Sequence, residues 1–105
     1  MSKVSDLNDA LRKTLAGGRV VLTPGVNVLP LAQIDALMAR IRAFDAFTED
    51  DDPYGEHDFG AFDHAGQRIF WKIDYYDRDL QFGSPDPSDP AVTTRVLTVL
   101  LAEEY

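Results

Sequence analysis

Two β-rich runs joined by a short glycine-containing turn restrict how this chain folds more than any other feature. The runs cover residues 57–63 and 68–76, and both are rich in aromatic and β-branched side chains. The intervening residues 63–66 (DHAG) fit a type I turn with Gly66 in the left-handed conformation, which makes a three-residue hairpin loop. The sequence therefore predicts an antiparallel β-hairpin in the second half of the chain.

The predicted turn also sets the register of the hairpin, and with it the face on which each side chain lies. A three-residue loop pairs Asp63 with Gln67, and a shift of one residue would exchange the two faces. Counting outward, the register places three pairs on the core face: Ala61 with Ile69, Phe59 with Trp71 and His57 with Ile73. It places four pairs on the opposite face: Phe62 with Arg68, Gly60 with Phe70, Asp58 with Lys72 and Glu56 with Asp74.

Helical signals lie on both sides of the hairpin. We expect a first helix over residues 6–16, a short strand over residues 19–23, and a second helix with one apolar stripe over residues 30–44. The β-branched run at residues 92–99 also permits a strand, but the capping residues before Pro90 favour a last helix.

Together these elements predict one α+β domain over residues 1–105, because a chain of this length corresponds to a single domain. The predicted sheet is small and antiparallel, and consists of the short strand and the hairpin. It packs against about three helices, in the order α-β-α-β-β-α.

The composition excludes several classes of protein. The chain contains no cysteine, which rules out a disulfide scaffold, a zinc site built on thiolates and a thiol nucleophile. No apolar run approaches the ~18–20 residues that cross a bilayer, and residues 1–13 lack the apolar core of a signal peptide. We therefore expect no membrane association and a cytoplasmic location.

Charge is divided unevenly along the chain, whose formal net charge is −8. Residues 1–44 carry six Lys/Arg and three Asp/Glu, whereas residues 45–105 carry four Lys/Arg and fifteen Asp/Glu. Residues 45–63 hold eight acids and no Lys or Arg. A chain this acidic does not gain affinity by neutralising phosphates, so direct nucleic-acid binding is not expected. The pattern predicts a negative face, which serves either solubility or the binding of a basic partner.

Binding to a basic protein surface is the predicted function of this negative face, and a DNA-binding protein is one partner of that kind. A homodimer is also compatible with the sequence. Two aromatic residues on the outer face of the hairpin flank Lys72 and Asp74 and have the composition of an interface. The predicted binding residues are Glu49, Asp50, Asp51, Asp52, Glu56, Asp58, Phe70 and Tyr76.

A small metal-dependent hydrolase is the alternative, since facing carboxylates repel each other unless a cation, a proton or an arginine offsets them. His57 is interpreted as a buried, hydrogen-bonded residue, and it becomes a candidate general base if the register shifts by one. The catalytic residues of this alternative would be Glu56, His57, Asp58, Lys72 and Asp74. A divalent cation would use Asp50, Asp52, Glu56 and Asp74. No metal motif is complete, so the predicted cofactor is none.

Three polar residues, Thr93, Thr94 and Arg95, fall in the first turns of the predicted last helix. Such a group is able to meet an anion at a helix N-terminus. We interpret it instead as helix capping together with a surface arginine.

Several strings of the sequence resemble a bacterial family of small proteins known only as a domain of unknown function. They are EHDFG (56–60), FWKIDYYD (70–77), SPDPSDP with TTRVLTVLLAEEY (84–105), LND (7–9) and LTPGV (22–26). The resemblance spans nearly the whole chain, but it implies no activity and no catalytic residues. Because members of this family are often carried on plasmids and other mobile elements, it implies a role in replicon maintenance or in evading host defence.

Overall fold

The computed structural model describes residues 2–105 and contains three helices and a four-stranded sheet. The elements, in chain order, are α1 (Lys3–Thr14), β1 (Arg19–Leu22), α2 (Pro24–Asn27), α3 (Leu31–Arg42), β2 (Phe59–His64), β3 (Gln67–Tyr76) and β4 (Thr94–Leu101), followed by a 3₁₀ turn (Ala102–Glu104). None of the helices in this described part of the chain is long and apolar enough to cross a membrane. The α+β class predicted from the sequence is confirmed.

The helices begin and end close to their predicted bounds. α1 starts earlier than expected because Ser2 caps it, in a reciprocal capping box with Ser5. It ends at Leu15, which adopts a left-handed conformation with φ 60°. α3 follows Pro30 as predicted. The short helix α2, which the sequence analysis did not predict, follows β1 with Thr23 as its N-cap and Pro24 as its first residue.

The hairpin turn is one residue shorter than predicted. Ala65 and Gly66 both have positive φ, 51° and 82°, and they alone form the loop, so that His64 lies opposite Gln67. Positive φ at both central residues is the property of a type I′ turn, whose twist matches that of the flanking strands. The predicted three-residue loop is therefore wrong, and the register moves by one.

This shift exchanges the faces of β2, because successive side chains of a strand point to opposite sides. Gly60 lies opposite Trp71 and Phe62 opposite Ile69, both on the core face. The backbone N–H of Ile73 donates to the carbonyl of Asp58 at 2.8 Å. The predicted pairs are therefore wrong, namely Asp63 with Gln67, Ala61 with Ile69, Phe59 with Trp71, His57 with Ile73, Phe62 with Arg68, Gly60 with Phe70, Asp58 with Lys72 and Glu56 with Asp74.

The last element is strand β4 and not the predicted helix, which also corrects the order α-β-α-β-β-α. β4 lies inside the sheet, whose strand order is β1-β4-β3-β2. It pairs antiparallel with β3 and parallel with β1, so the predicted purely antiparallel sheet is also corrected. Because β4 lies between two strands, its β-branched residues pack against neighbours on both faces of the sheet. The free energy of this packing outweighs the local preference for a helix that the capping residues before Pro90 give.

The core lies between one face of this sheet and the helices. Trp71 and Leu97 from the sheet and Leu37 and Ile41 from α3 are fully buried there. The opposite face carries Phe70 and its neighbours, whose side chains are mostly half-buried. One sheet face is thus covered by helices and the other is partly open, as is common in sheets that are mainly antiparallel.

Candidate functional site

The acidic segment (residues 45–58) connects α3 to β2 and is held in shape by one of its own carboxylates. Asp52 Oδ1 accepts hydrogen bonds from the backbone N–H groups of Glu56 and His57, at 3.0 and 3.1 Å. Its N–H donates in turn to the carbonyl of Thr48 at 2.7 Å. Asp52 is only 8% exposed. The predicted binding residue Asp52 is therefore occupied in folding the segment, since buried carboxylates are stable when hydrogen-bonded.

His57 ties the acidic segment to α1. Its Nδ1 lies 3.0 Å from Asp9 Oδ1, and its ring stacks on Phe47 with centroids 3.9 Å apart and planes inclined by 4°. The backbone φ of His57 is +57°, a conformation that costs energy in a residue other than glycine. These contacts favour the interpretation of His57 as a hydrogen-bonded structural residue over that of a general base.

Arg12 continues this network into the core. Its guanidinium donates to Asp9 Oδ1 at 3.0 Å and to the carbonyl of Ile41 at 2.9 Å, and lies over the rings of Phe47 and Trp71. Arg12 is 1% exposed. Asp9 thus forms an ion pair with the buried guanidinium of Arg12 and a hydrogen bond with the ring of His57. Through these two residues it links α1 to the end of α3 and to the acidic segment.

A second polar chain lies beside the first. Asn8 donates from Nδ2 to the carbonyl of Glu56 at 3.0 Å and to the Tyr75 hydroxyl at 2.7 Å, and its Oδ1 accepts from Arg95 Nε at 2.8 Å. Burial raises the pKa of Tyr75 to about 12. The prediction that Arg95 is a surface residue of a last helix is wrong, because Arg95 is a buried residue of β4.

These networks contain functional candidates that the sequence analysis missed, namely Asn8, Asp9, Arg12 and Phe47. The signal for Asn8 and Arg12 was the buried stripe of α1, which carries Ser5, Asn8 and Arg12 beside Leu11. Polar residues at the core-facing spacing of a helix indicate buried partners elsewhere in the chain.

The acidic segment exposes three successive carboxylates, those of Glu49, Asp50 and Asp51. No ion pair within residues 2–105 includes any of these three carboxylates. Tyr54 lies three residues farther along and is 86% exposed. The structure therefore brings three predicted binding residues together with an exposed aromatic ring that the sequence analysis had not selected.

Glu56 and Asp58 are half-buried at the end of the segment and also have no ion pair within residues 2–105. Burial, followed by the negative charges of Asp58 and Asp52, raises the pKa of Glu56. Burial also raises the pKa of Asp58, with further contributions from Asp52 and Asp74. The negative charges of Glu56 and Asp58 at the end of the acidic segment therefore lower the free energy of unfolding.

The sign of this effect predicts how stability depends on pH. Both folded-state pKa values lie above the ordinary values of 4.5 and 3.8, so ionisation opposes folding. The unfavourable contribution is fully present at neutral pH, decreases as the pH falls through the raised values, and disappears below the ordinary ones. We expect Glu56→Gln/Asp58→Asn to raise the free energy of unfolding at pH 7 and to leave it unchanged at about pH 3. Urea unfolding at both pH values measures this, and an equal gain at both would contradict it.

The remaining predicted residues lie on the open face of the sheet. Phe70, Lys72, Asp74 and Tyr76 alternate along β3 on this side, and Lys72 Nζ contacts Asp74 Oδ2 at 2.8 Å. This hydrogen bond raises the pKa of Lys72. The predicted pairing of Lys72 with Asp58 is wrong, because in the true register Lys72 lies opposite Phe59. Phe70 and Tyr76 lie on this open face, whereas Phe47 of the acidic segment packs beside Trp71 on the helix-covered face.

The residues named for a hydrolase are divided by this arrangement. His57 is engaged by Asp9, and Lys72 by Asp74 on the other face of the sheet. The metal candidates Asp50, Asp52, Glu56 and Asp74 belong to no cluster: within residues 2–105, no group of three or more His, Cys, Asp or Glu residues is arranged to hold a metal ion. The geometry gives the hydrolase alternative no support.

Comparison with known proteins gives a family but no activity. A family model described as a protein of unknown function (DUF3768) matches residues 22–104. No curated protein and no solved structure matches the chain. The matched region starts after α1 and includes the acidic segment, the hairpin and β4.

Proposed function

The chain belongs to the DUF3768 family of proteins of unknown function, and we propose that it is a non-enzymatic binding protein. In this proposal its acidic segment contacts a basic surface of a protein partner. The observation that supports it most is the set of three successive exposed carboxylates, Glu49 to Asp51, which have no ion pair within the described residues.

The local structure favours such a contact because the segment is ordered before a partner arrives. Asp52 closes the backbone around residues 52–57, and His57 attaches it to Asp9 of α1. A pre-ordered surface loses less conformational entropy on binding. Tyr54 supplies a rigid aromatic side chain next to the acids, and tyrosine is enriched at interfaces.

The acidic character suits a partner whose basic surface otherwise holds DNA, since such a surface is rich in Lys and Arg. An accessory role on a mobile element, including evasion of host defence, is the setting that the family resemblance implies.

A charge-neutralised variant tests the contact directly. We expect Glu49→Gln/Asp50→Asn/Asp51→Asn to bind a fluorescein-labelled (Lys-Arg)₅ decapeptide about tenfold more weakly than the original chain. Each exposed ion pair contributes about 0.2–1 kcal/mol, so three such losses approach the 1.4 kcal/mol of a tenfold change. Fluorescence anisotropy at about 50 mM NaCl measures the affinity, and added salt is expected to weaken the binding of the original chain.

The matched control is Asp35→Asn/Asp79→Asn/Glu103→Gln, which removes the same number of exposed charges elsewhere. It is expected to bind the peptide within about twofold of the original chain. Equal weakening by both triple variants would show that only the net charge matters, and would overturn the acidic segment as the contact.

A photo-cross-linking amino acid in place of Tyr54 tests the partner class in cell extract. The expected products are cross-links to basic proteins that high salt abolishes. The same amino acid in place of Leu31, which is also exposed, serves as the control. An identical set of products from the two positions, or products insensitive to salt, would contradict the proposal.

A further inference from the structure

A groove of about 540 Å³ lies at the end of the sheet where the parallel strands β1 and β4 begin. The loop that carries Gly17 and Gly18 borders it on one side. Three of the residues that line it are arginines, namely Arg19 at the start of β1, Arg78 in the loop after β3, and Arg95 in β4. The groove thus gathers three of the ten Lys/Arg residues of an acidic chain.

Arg95 is the unusual member of this group because it is 3% exposed and has no carboxylate partner. Its Nε donates to Asn8 Oδ1 and its Nη2 to the carbonyl of Pro87, and both acceptors are neutral. Within residues 2–105 no hydrogen bond uses Nη1, and Arg95 takes part in no ion pair. Burying a charge without an opposite charge is costly, and an incoming anion would offset that cost.

The charges around the groove also favour the binding of an anion beside Arg95. None of the residues that line the groove is Asp or Glu, although the chain carries eighteen of them. Asp77 and Asp79 flank Arg78 in sequence but lie outside the lining. Burial lowers the pKa of Arg95. The carboxylate of Glu56 attracts the guanidinium of Arg95 from a longer distance and forms no ion pair with it.

The other walls of the groove indicate the kind of anion. Leu7 and Leu11 of α1 and the ring of Pro90 form an apolar side, and the hydroxyl-bearing residues Thr93 and Thr94 lie near the arginines. A volume of this size is typical of sites for small molecules. Guanidinium groups match phosphate oxygens with paired hydrogen bonds, and three of them suit a doubly charged phosphate better than a single carboxylate.

We infer that this groove is a binding site for a small phosphorylated organic molecule. Arg19, Arg78 and Arg95 hold the phosphate, and the apolar side formed by α1 and Pro90 contacts the organic part. The site is separate from the acidic segment and does not depend on the function proposed for it.

Titration with adenosine 5′-monophosphate tests the site, with ¹H–¹⁵N NMR to locate binding and calorimetry to measure it. We expect the amide signals of Gly17 and Gly18 to shift on binding. Adenosine is expected to give no heat, and inorganic phosphate is expected to bind more weakly than the nucleotide. Malate tests whether a carboxylate serves equally well. Binding of malate as tight as that of the nucleotide would overturn the assignment to phosphate.

The variant Arg19→Gln/Arg78→Gln removes two exposed arginines of the groove and leaves buried Arg95 in place, which protects the fold. We expect it to weaken nucleotide binding at least about tenfold, since it removes charge-assisted hydrogen bonds to the phosphate. Lys13→Gln/Arg68→Gln makes the same change of charge at exposed positions outside the groove and is expected to stay within about twofold. The inference would be overturned if the amide signals of Gly17 and Gly18 did not shift at millimolar nucleotide. Equal weakening of nucleotide binding by the two double variants would also overturn it.

Discussion

Replacing Arg12 by methionine is expected to lower the free energy of unfolding by about 3–5 kcal/mol, the cost of breaking a buried ion pair by removing one partner. The guanidinium of Arg12 is the only group that joins Asp9 to the carbonyls of Ile41 and Arg42 at the end of α3 within the described residues. Methionine preserves most of the apolar stem but removes the guanidinium that pairs with Asp9 and donates to these carbonyls. The carbonyl of Ile41 then keeps the backbone N–H of Phe44 as a donor, at 3.2 Å. Urea unfolding followed by the fluorescence of Trp71, the single tryptophan, measures the loss.

Lys13→Met is the matched control, because Lys13 is the next residue of the same helix and is exposed. It is expected to change the free energy of unfolding by no more than about 0.5 kcal/mol. A loss below about 1 kcal/mol for Arg12→Met would show that the network around Asp9 contributes little.

Gly60→Ala is expected to destabilise the fold by about 1–3 kcal/mol through overpacking of the core. A Cβ atom at Gly60 would lie 2.3 Å from Nε1 of Trp71 and 2.6 Å from its Cε2. The indole ring is fully buried, and Phe44 and Phe47 pack edge-on against it, so it has no space into which to move. Unfolding in urea, followed by circular dichroism, gives the free energy.

A double-mutant cycle with Trp71→Phe identifies the cause of this destabilisation. The smaller ring leaves a cavity and lowers stability by itself, but it also removes the indole atoms that the new methyl group would meet. Gly60→Ala is therefore expected to cost less in the Trp71→Phe background than in the original chain. An equal cost in both backgrounds would mean that the effect of alanine comes from the backbone of β2.

Gly83→Ala serves as the control for this cycle. A Cβ atom at Gly83 would have only the carbonyl oxygen of Tyr75 within reach, at 4.0 Å. We expect a change within about 0.5 kcal/mol. A larger loss would show that glycine-to-alanine changes destabilise this chain even where space is available.

Local sequence patterns predicted the strands of the hairpin but not its register. The positions of β2 and β3 were predictable from their β-branched and aromatic residues and from Gly66 at the turn. The register was not, because the DHAG turn suits both a two-residue and a three-residue loop, and only the positive φ of Ala65 selects the shorter one. One residue of error then reversed the predicted face of every β2 side chain, including Phe59. The buried face of β3, with Ile69, Trp71 and Ile73, was predicted correctly.

The candidate site was predictable only in part for a similar reason. The run of acids from Glu49 to Asp51 is visible in the sequence, and the structure leaves it exposed. Asp52 looks identical to its neighbours in sequence, yet it is buried because the backbone turns around it. The partners of His57 and Arg95 are Asp9 and Asn8, which lie 48 and 87 residues away along the chain.

The amino-acid order alone determined the α+β composition, the helices α1 and α3, the hairpin strands and the concentration of acid in the middle of the chain, because each follows from neighbours within a few positions. Tertiary structure decided the identity of β4, the face of each β2 side chain, the burial of Asp52 and the gathering of arginines at the groove. Those outcomes depend on pairing and packing between segments far apart in the chain, whose free energy exceeds the small local preferences that compete with it.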